Sequence, residues 1–581
     1  MHVCNVSSSL SGQPWRWRGL AAHDPGQDDL VTQILLSRGV ERHALELHRL
    51  PTIRGFMPDP SIFRDMDKAA ARLADAVQRQ ESVTIFGDYD VDGATSAALL
   101  IRCLRDLGCA PAHYIPDRIA EGYGPSAAAL VRLANEGASL IVTVDCGAQA
   151  FDALAAAQRH GVDILVVDHH KCGTELPHAH ALVNPNRLDE DDDAASHGHL
   201  AAVGVAFLLA AAVVRELRTR GVFATRPEPR LTDLLDLVAL GTVADVARLT
   251  GLNRAFVTQG LKVMAGRRNV GLAALLDVSR LKSAPTARDL GFALGPRINA
   301  GGRVGKSDLG VRLLVSEDEE EARTIAAELE RLNEERRAIE GDVAGAADLI
   351  ANAQDAPVAV IAGHGWHPGV IGIVAGRLKE RLGRPAIVIA IDEHGVGKGS
   401  GRSIPGVDLG AAILAARDHG LVIAGGGHAM AAGLTVAAEA IPALAAFLSD
   451  RLGPDIAAAT ANRALLLDVV LSCGGVTPAL SEALDVGGPY GMGWPAPRVA
   501  AGPVRVVKAD IVGQGHVRAI VSGDDGRSLK TVAFRAAALP LGQALLAASP
   551  DRRLWIAGRV KIDDWGDRRQ AEMHLDDAAW A

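Results

Sequence analysis

Paired cysteines are missing from this chain. Its six cysteines, Cys4, Cys103, Cys109, Cys146, Cys172 and Cys473, form no CxxC pair, which excludes a disulfide framework and a zinc finger of the usual spacing. Reduced thiols are expected. A membrane-length apolar run is missing too: the longest nearly unbroken one, Ala201 to Val214, stops at Arg215 and is too short to span a bilayer. The first residues lack the basic-then-apolar order of a secretory leader. A cytoplasmic location without a membrane partner is the expectation. Nor is there an excess of positive charge, since 60 Lys and Arg stand against 69 Asp and Glu, a formal net charge of −9. That balance argues against indiscriminate binding of duplex DNA. It does not exclude a nucleic-acid substrate, because bound metal and solvated acidic helices discharge much of the acidity.

What is present is an ordinary globular composition, 48 % apolar and 22 % charged over 581 residues, enough for three or four domains at roughly 150 residues each. The most informative segment is Asp88-Tyr89-Asp90-Val91-Asp92-Gly93, where three carboxylates on alternate residues follow the apolar run Val83-Thr84-Ile85-Phe86. Like charges crowded at a buried strand end require a divalent cation. The same residues match the opening of an EF-hand loop, but its twelfth position, which should be Glu, is Leu99. Two further β-branched runs end in polar clusters: Leu140 to Val144 before Asp145-Cys146-Gly147, and Asp163 to Val167 before Asp168-His169-His170. With a helical stretch at 148–160 between them, this is the βαβ rhythm of a doubly wound parallel sheet with metal-competent side chains at the strand ends. Asp245, in Gly241-Thr242-Val243-Ala244-Asp245-Val246, adds a fourth acidic position. Taken singly, such an Asp is usually a helix cap or a turn former. A zinc site built on His169, His170 and Cys172 would leave Asp88 to Asp92 without a purpose. Carboxylate and imidazole without thiolate suit manganese or magnesium in a two-metal site for phosphate-ester hydrolysis.

The order GDYDVDG, VDCG, VDHH and GTVADV resembles the motifs of the DHH phosphoesterase superfamily. Residues 295–303 (GPRINAGGR), 366–372 (WHPGVIG), 399–403 (GSGRS) and 425–428 (GGGH) resemble one branch of it, the bacterial RecJ exonucleases, over roughly residues 45 to 575. That resemblance implies a 5′-to-3′ exonuclease on single-stranded DNA that releases mononucleotides, uses two manganese or magnesium ions, and serves DNA repair and recombination. A helicase and a single-strand-binding protein are the partners expected with the DNA, and a monomer is the default. The resemblance also implies that Asp90 and Asp92 bind different metals, that Asp145 bridges them, and that His169 and Asp245 complete the ligands. Asp88, Asp168 and His170 are the catalytic candidates: Asp88 binding metal through water or orienting the ligands, His170 on the scissile phosphate, Asp168 supporting the site from behind. Arg118, Asn299, Arg303, Ser400, Arg402, Gly426, Gly427 and His428 are the substrate contacts, with Arg297 read as structural. The chain departs from the family pattern at Trp494, where Asn is usual, and at Gly301, where Ala is common; both bear on packing and strand affinity rather than on hydrolysis.

The expected organisation is an N-terminal segment (1–50), an α/β DHH domain (51–315), a long connecting helix (316–353) with acids in its first turn, a second α/β DHH-associated domain (354–455), and a C-terminal OB-type β-barrel (456–581) after an alanine-rich stretch. Runs such as Val504 to Lys508, Val517 to Val521 and Leu554 to Val560 supply the barrel strands. Arg505, Lys508, Arg518, Lys530, Phe534 and Arg535 are its candidate contacts to a single strand. From 501 to 581 there are 12 Lys and Arg against 10 Asp and Glu, an excess too small to point to DNA. Aromatic residues are only 4 % of the chain, so phosphate contacts are expected to outweigh base stacking. Two rival readings are a phosphoesterase for very short oligonucleotides or cyclic dinucleotides, which the extra barrel disfavours, and a DNA-binding scaffold without chemistry, which the full ligand set disfavours.

Overall fold

A computed structural model of the chain describes residues 2–19, 28–118, 120–281, 283–547, 552–563 and 569–581. It has two compact units: Pro58–Ala247 with Gln259–Asn462, and Met1–Met57 with Arg248–Thr258 and Arg463–Ala581.

In the larger unit, the β-branched runs form strands because their side chains are buried on both faces of a sheet flanked by helices. Val83–Gly87 and Leu140–Val144 are buried at every residue and Asp163–Val167 at all but its first. Five parallel strands lie in the order Ala112–Tyr114, Val83–Gly87, Leu140–Val144, Asp163–Val167, Ala181–Val183. In chain order this is 2-1-3-4-5, so connections leave in opposite directions between the strands at 83 and 140. Ligands gather at such a switch point, beyond the carboxyl ends of the strands. The apolar run at 201–214 becomes the buried helix Ala202–Thr219.

The connecting helix runs from Glu319 to Asn352, 34 residues and so about 50 Å long. Asp318 caps it, accepting from the amides of Glu320 and Glu321, while Ser316, read from sequence as its start, donates its hydroxyl to Glu321 at 2.8 Å. The helix is no bare linker, since Ala322, Ile325, Leu329, Leu332, Arg336, Val343 and Ala347 form a buried stripe at helical spacing. Next comes a mixed five-stranded sheet in the order Ala424–His428, Ala431–Ala437, Val396–Arg402, Ala386–Ile391, Ala359–His364. The division expected at 455/456, where the alanine-rich stretch begins, falls inside the helix Ile441–Ala461, because alanine is the strongest helix former.

In the smaller unit, the strands Val499–Val512, His516–Gly523, Ser528–Ala533, Gln570–Trp580 and Leu554–Asp563 pair in sequence, and the last closes back on the first as a five-stranded barrel. The helix Pro540–Leu546 precedes its fourth strand in chain order, as in an OB-type fold. The segment 1–50, set apart in the sequence reading, belongs with this barrel: Trp15–Trp17 pairs in parallel with Leu465–Leu467, and fully buried Trp15 donates its indole N–H to Asp577 at 3.0 Å. Three residues cannot stand as a lone strand, and a sequence reading does not reveal a partner about 450 residues away. Trp494 is buried, donates to the carbonyl of Gly487 at 2.9 Å, and has the guanidiniums of Arg38 and Arg254 at 5.1 and 5.7 Å from its ring. At Gly301 in the larger unit, an added Cβ would meet the Lys306 carbonyl at 2.9 Å, so the alanine usual in the family would require a backbone shift.

Candidate metal centre

The first strand delivers Asp88 and Asp90, and Asp90 caps the following helix, Val91–Asp106, by accepting from the Gly93 amide at 3.0 Å. Gly93 is required because a Cβ there would lie 2.4 Å from the Asp88 carbonyl oxygen. Asp92, the second residue of that helix, accepts from the amides of Ala202 and Val203 at 2.7 and 2.9 Å, at the amino end of the helix Ala202–Thr219. Asp145 follows the third strand with φ +61°, and Asp245 ends the helix Leu235–Ala244, followed by Val246, also at φ +61°. Left-handed backbone at non-glycine residues is strained and gathers at functional sites.

These side chains converge. Ligand atoms of three sets, Asp88 with Asp90 and Asp145, Asp92 with His169 and Asp245, and Asp145 with His169 and His170, lie within 4.8 Å of one another. Asp145 and His169 each belong to two sets, as groups shared between neighbouring ions would. His169 donates from Nδ1 to the Leu200 carbonyl at 3.0 Å, which leaves Nε2 bare, buried and without a hydrogen-bond partner, 3.3 Å from Asp145 and 4.0 Å from Asp92. Oδ1 of Asp88 is likewise buried and unpartnered.

Electrostatics point the same way. Burial, reinforced by the neighbouring carboxylates, pushes Asp92 up to about 7 and Asp245 up to about 9, and raises Asp88 and Asp145 well above the carboxylate range. Asp245 also sits at the negative end of its helix dipole. Burial, then the charge of His170, lowers His169 to about 4, so its imidazole is neutral and able to ligate. Crowded carboxylates with one bare imidazole nitrogen are a hard, oxygen-rich donor set that fits a pair of divalent ions.

Asp168 has another role. Despite burial it is held at about 2, since it accepts from His170 Nδ1 at 2.8 Å, from the amides of His169 and His170 at 2.7 and 3.1 Å, and from the Ala148 amide at 3.0 Å. Burial pulls His170 down, but its bond to Asp168 outweighs this and lifts it to about 9. A half-exposed imidazolium at the rim can face an anion.

The sequence-assigned substrate residues of this unit fall into two groups. Arg303 and Arg402 have lowered affinities for their protons, first through burial and then through the charge of Arg118, with Arg303 also sensing Asp90. The charges of Arg118, Arg303 and Arg402 thus bear on one another beside the acidic cluster, and Arg303 donates to the Gly369 carbonyl at 2.7 Å. Asn299 lies half-buried on the same helix as Arg303, Gly295–Val304. Across the second sheet, Ser400, Gly433 and Gly426 stand in register on three adjacent strands, and Arg402, Ala431 and His428 form the next row of the same face. Gly425 to Gly427 lie in an edge strand rather than the tight turn that glycines suggest. A Cβ at Gly426 would meet open space, whereas Gly427, at φ +147°, would drive one to 2.4 Å from the Ala431 carbonyl. Arg297 is structural as read: it is buried, 2.5 Å from Glu330, and donates to the Ala293 carbonyl. In the barrel unit, Arg518 is exposed, 3.9 Å from Asp510, and Phe534 is 53 % exposed, edge-on to His516 and His574.

Sequence reasoning missed several supports. Tyr123 donates to the Asp145 carbonyl at 2.9 Å and lies 3.1 Å from His170 Nδ1. Asn186 donates to the carbonyls of His169 and Gly198, at 2.6 and 3.0 Å, and Asn184 to that of His170 at 2.8 Å. The Asn184-Pro185-Asn186 doublet was a legible signal; the Leu200 carbonyl left none.

Comparison with known proteins places this geometry. The DHH family N-terminal domain matches residues 82–242, the DHHA1 domain 337–453 and the RecJ OB domain 467–577. The single-stranded-DNA-specific exonuclease RecJ of Dickeya dadantii is 37 % identical over 94 % of this chain and 95 % of its own length, and that of Escherichia coli is 36 % identical over the same shares. The crystal structure of RecJ from Thermus thermophilus in complex with Mn2+ superposes with a TM-score of 0.78 at 28 % identity, covering 97 % of this chain and 79 % of that one. With three domains matched in order and relatives aligned over nearly their full length, the chain belongs to the RecJ family of DHH proteins.

Proposed function

We propose that this protein is a single-stranded-DNA exonuclease that hydrolyses phosphodiester bonds from the 5′ end and releases mononucleotides in DNA repair and recombination. The observation that carries this reading is the bare Nε2 of His169, buried beside Asp92 and Asp145 with no hydrogen-bond partner. Asp90, Asp92, Asp145, His169 and Asp245, with Asp88 beside them, would hold two Mn2+ or Mg2+ ions. When bound, such a pair supplies charge neutralisation at both the attacking and the leaving oxygen of the phosphate.

The chain's own groups do the rest. Asp168 keeps His170 protonated, so the imidazolium donates to a non-bridging oxygen of the scissile phosphate. Arg118, Arg303 and Arg402 bind the adjoining phosphate, and the floor formed by Gly426, Gly433 and Ser400 lets the backbone of the strand approach closely. On the barrel, Arg518 and Phe534 offer a cation and an exposed ring to single-stranded DNA. The reading extends to a soluble monomer in the cytoplasm, fed by a helicase and a single-strand-binding protein. Among the described residues, no helix is long and apolar enough to cross a membrane.

The test is digestion of a 5′-overhang, a 3′-overhang and a blunt duplex with manganese, magnesium or chelator. Cleavage confined to the free 5′ strand and lost with chelator is expected. Equal attack on the 3′-overhang would overturn the polarity, and chelator-resistant cleavage the metal chemistry.

A further inference from the structure

Of Arg118, Arg303 and Arg402, two are committed to partners within the protein. Arg303 donates to the Gly369 carbonyl at 2.7 Å, and Arg402 to Ser400 Oγ and the Gly401 carbonyl at 3.1 and 2.8 Å. Arg118 is different. Among the described residues it makes no hydrogen bond and no ion pair; its guanidinium carbon lies over the ring of Tyr89, 4.8 Å from the centroid.

Tyr89 is the residue between the ligands Asp88 and Asp90, and its side chain has no metal role. Its hydroxyl makes no hydrogen bond among the described residues, so the ring face is what it offers. Its backbone packs closely on the helix Gly295–Val304, since a Cβ added at Gly302 would lie 3.0 Å from the Tyr89 carbonyl oxygen. An arginine lying over an aromatic face is held by cation–π attraction while all five N–H donors stay uncommitted. Arg118 is thus fixed in place without spending a donor.

We propose that Tyr89 is a positioning residue for the substrate: its ring holds the Arg118 guanidinium over the metal centre so that the whole donor fork is free for a DNA phosphate. The inference rests on the reading of Arg118 as a phosphate contact and adds what orders it. It also couples the two halves of the site, since the residue between two metal ligands places the arginine that receives the strand.

The test is a double-mutant cycle in the full-length protein with a single-stranded oligodeoxynucleotide and manganese, using Tyr89→Leu, Arg118→Ala and the pair. Each single change is expected to raise KM about three- to tenfold with kcat within about twofold, and the pair to be no worse than Arg118→Ala alone. Tyr89→Phe, which keeps the ring and loses only the idle hydroxyl, is expected to restore KM to within about twofold of wild type. Should Tyr89→Leu not fold, Tyr89→Met gives the same reading. Additive effects, a Tyr89→Phe as impaired as Tyr89→Leu, or a Tyr89→Leu whose manganese affinity falls with kcat would overturn the proposal and leave Arg118 as a phosphate contact. An Arg118→Ala with unchanged KM would overturn the phosphate reading, and the proposal with it.

Discussion

The Nδ1 of His169 lies 3.0 Å from the carbonyl oxygen of Leu200, and that contact decides which face of the imidazole can hold a metal. With its proton committed to Leu200, the ring presents a bare Nε2 to Asp92 and Asp145. The loop that carries Leu200 is held by Asn186, which bridges the carbonyls of His169 and Gly198.

Asn186→Ala removes both bridges without touching a ligand. Metal affinity is expected to fall about 10- to 100-fold, the usual effect of losing a group that orients a ligating histidine, while saturating manganese recovers most of kcat. Calorimetric titration of the variant and the wild type with manganese checks it; an unchanged dissociation constant would show that the loop holds itself.

Asp145→Ala removes the carboxylate common to two ligand sets. Hydrolysis is expected to drop at least about 1,000-fold, or roughly 4 kcal/mol of barrel-independent barrier, while single-strand binding by fluorescence anisotropy stays within a few-fold. Retained cleavage would remove Asp145 from the chemistry.

The metal-free protein has a pH dependence of definite sign. Asp92 and Asp245 titrate at about 7 and about 9 in the fold against about 3.9 in an unfolded chain. Between those values the folded state binds more protons, so this contribution to stability is fully present below about pH 4 and is lost as pH rises through 7 and 9. Chelated protein is expected to melt at progressively lower temperature from pH 6 to pH 9, and manganese to raise the melting temperature more at pH 8.5 than at pH 6. A metal-induced shift independent of pH would contradict the charge crowding.

Gly426 and Gly427 separate recognition from folding. Gly426→Ala meets open space and is expected to leave the melting temperature nearly unchanged while raising KM for the oligonucleotide. Gly427→Ala places a Cβ against the Ala431 carbonyl at φ +147° and is expected to destabilise by about 1–3 kcal/mol. Parallel thermal melts and steady-state kinetics distinguish the two.

The clustered acids and histidines were legible because they follow buried strands whose apolar runs are unmistakable: Val83 to Phe86 before Asp88, Leu140 to Val144 before Asp145, Asp163 to Val167 before Asp168 and His169. Periodicity marks where such elements end, and the ends are where the metal-competent side chains gather. What stayed hidden depends on backbone atoms or on distance along the chain. The Leu200 carbonyl and the Ala202 and Val203 amides that hold His169 and Asp92 carry no side-chain signature, and Trp15–Trp17 finds its partner strand only at Leu465–Leu467. The alanine-rich stretch at 456–464 reads as the start of the barrel domain because small residues fit both a helix and a loop; packing of the helix Ile441–Ala461 through Leu444, Leu448, Leu452 and Ile456 decides for the helix.

The most direct test is the manganese stoichiometry of the purified chain, read by calorimetry alongside electron paramagnetic resonance. Two ions per chain, spin-coupled in the wild type and uncoupled or lost in Asp145→Ala, are the predicted result. One ion, or two that keep their coupling without Asp145, would contradict a shared site built from Asp88, Asp90, Asp92, Asp145, His169 and Asp245.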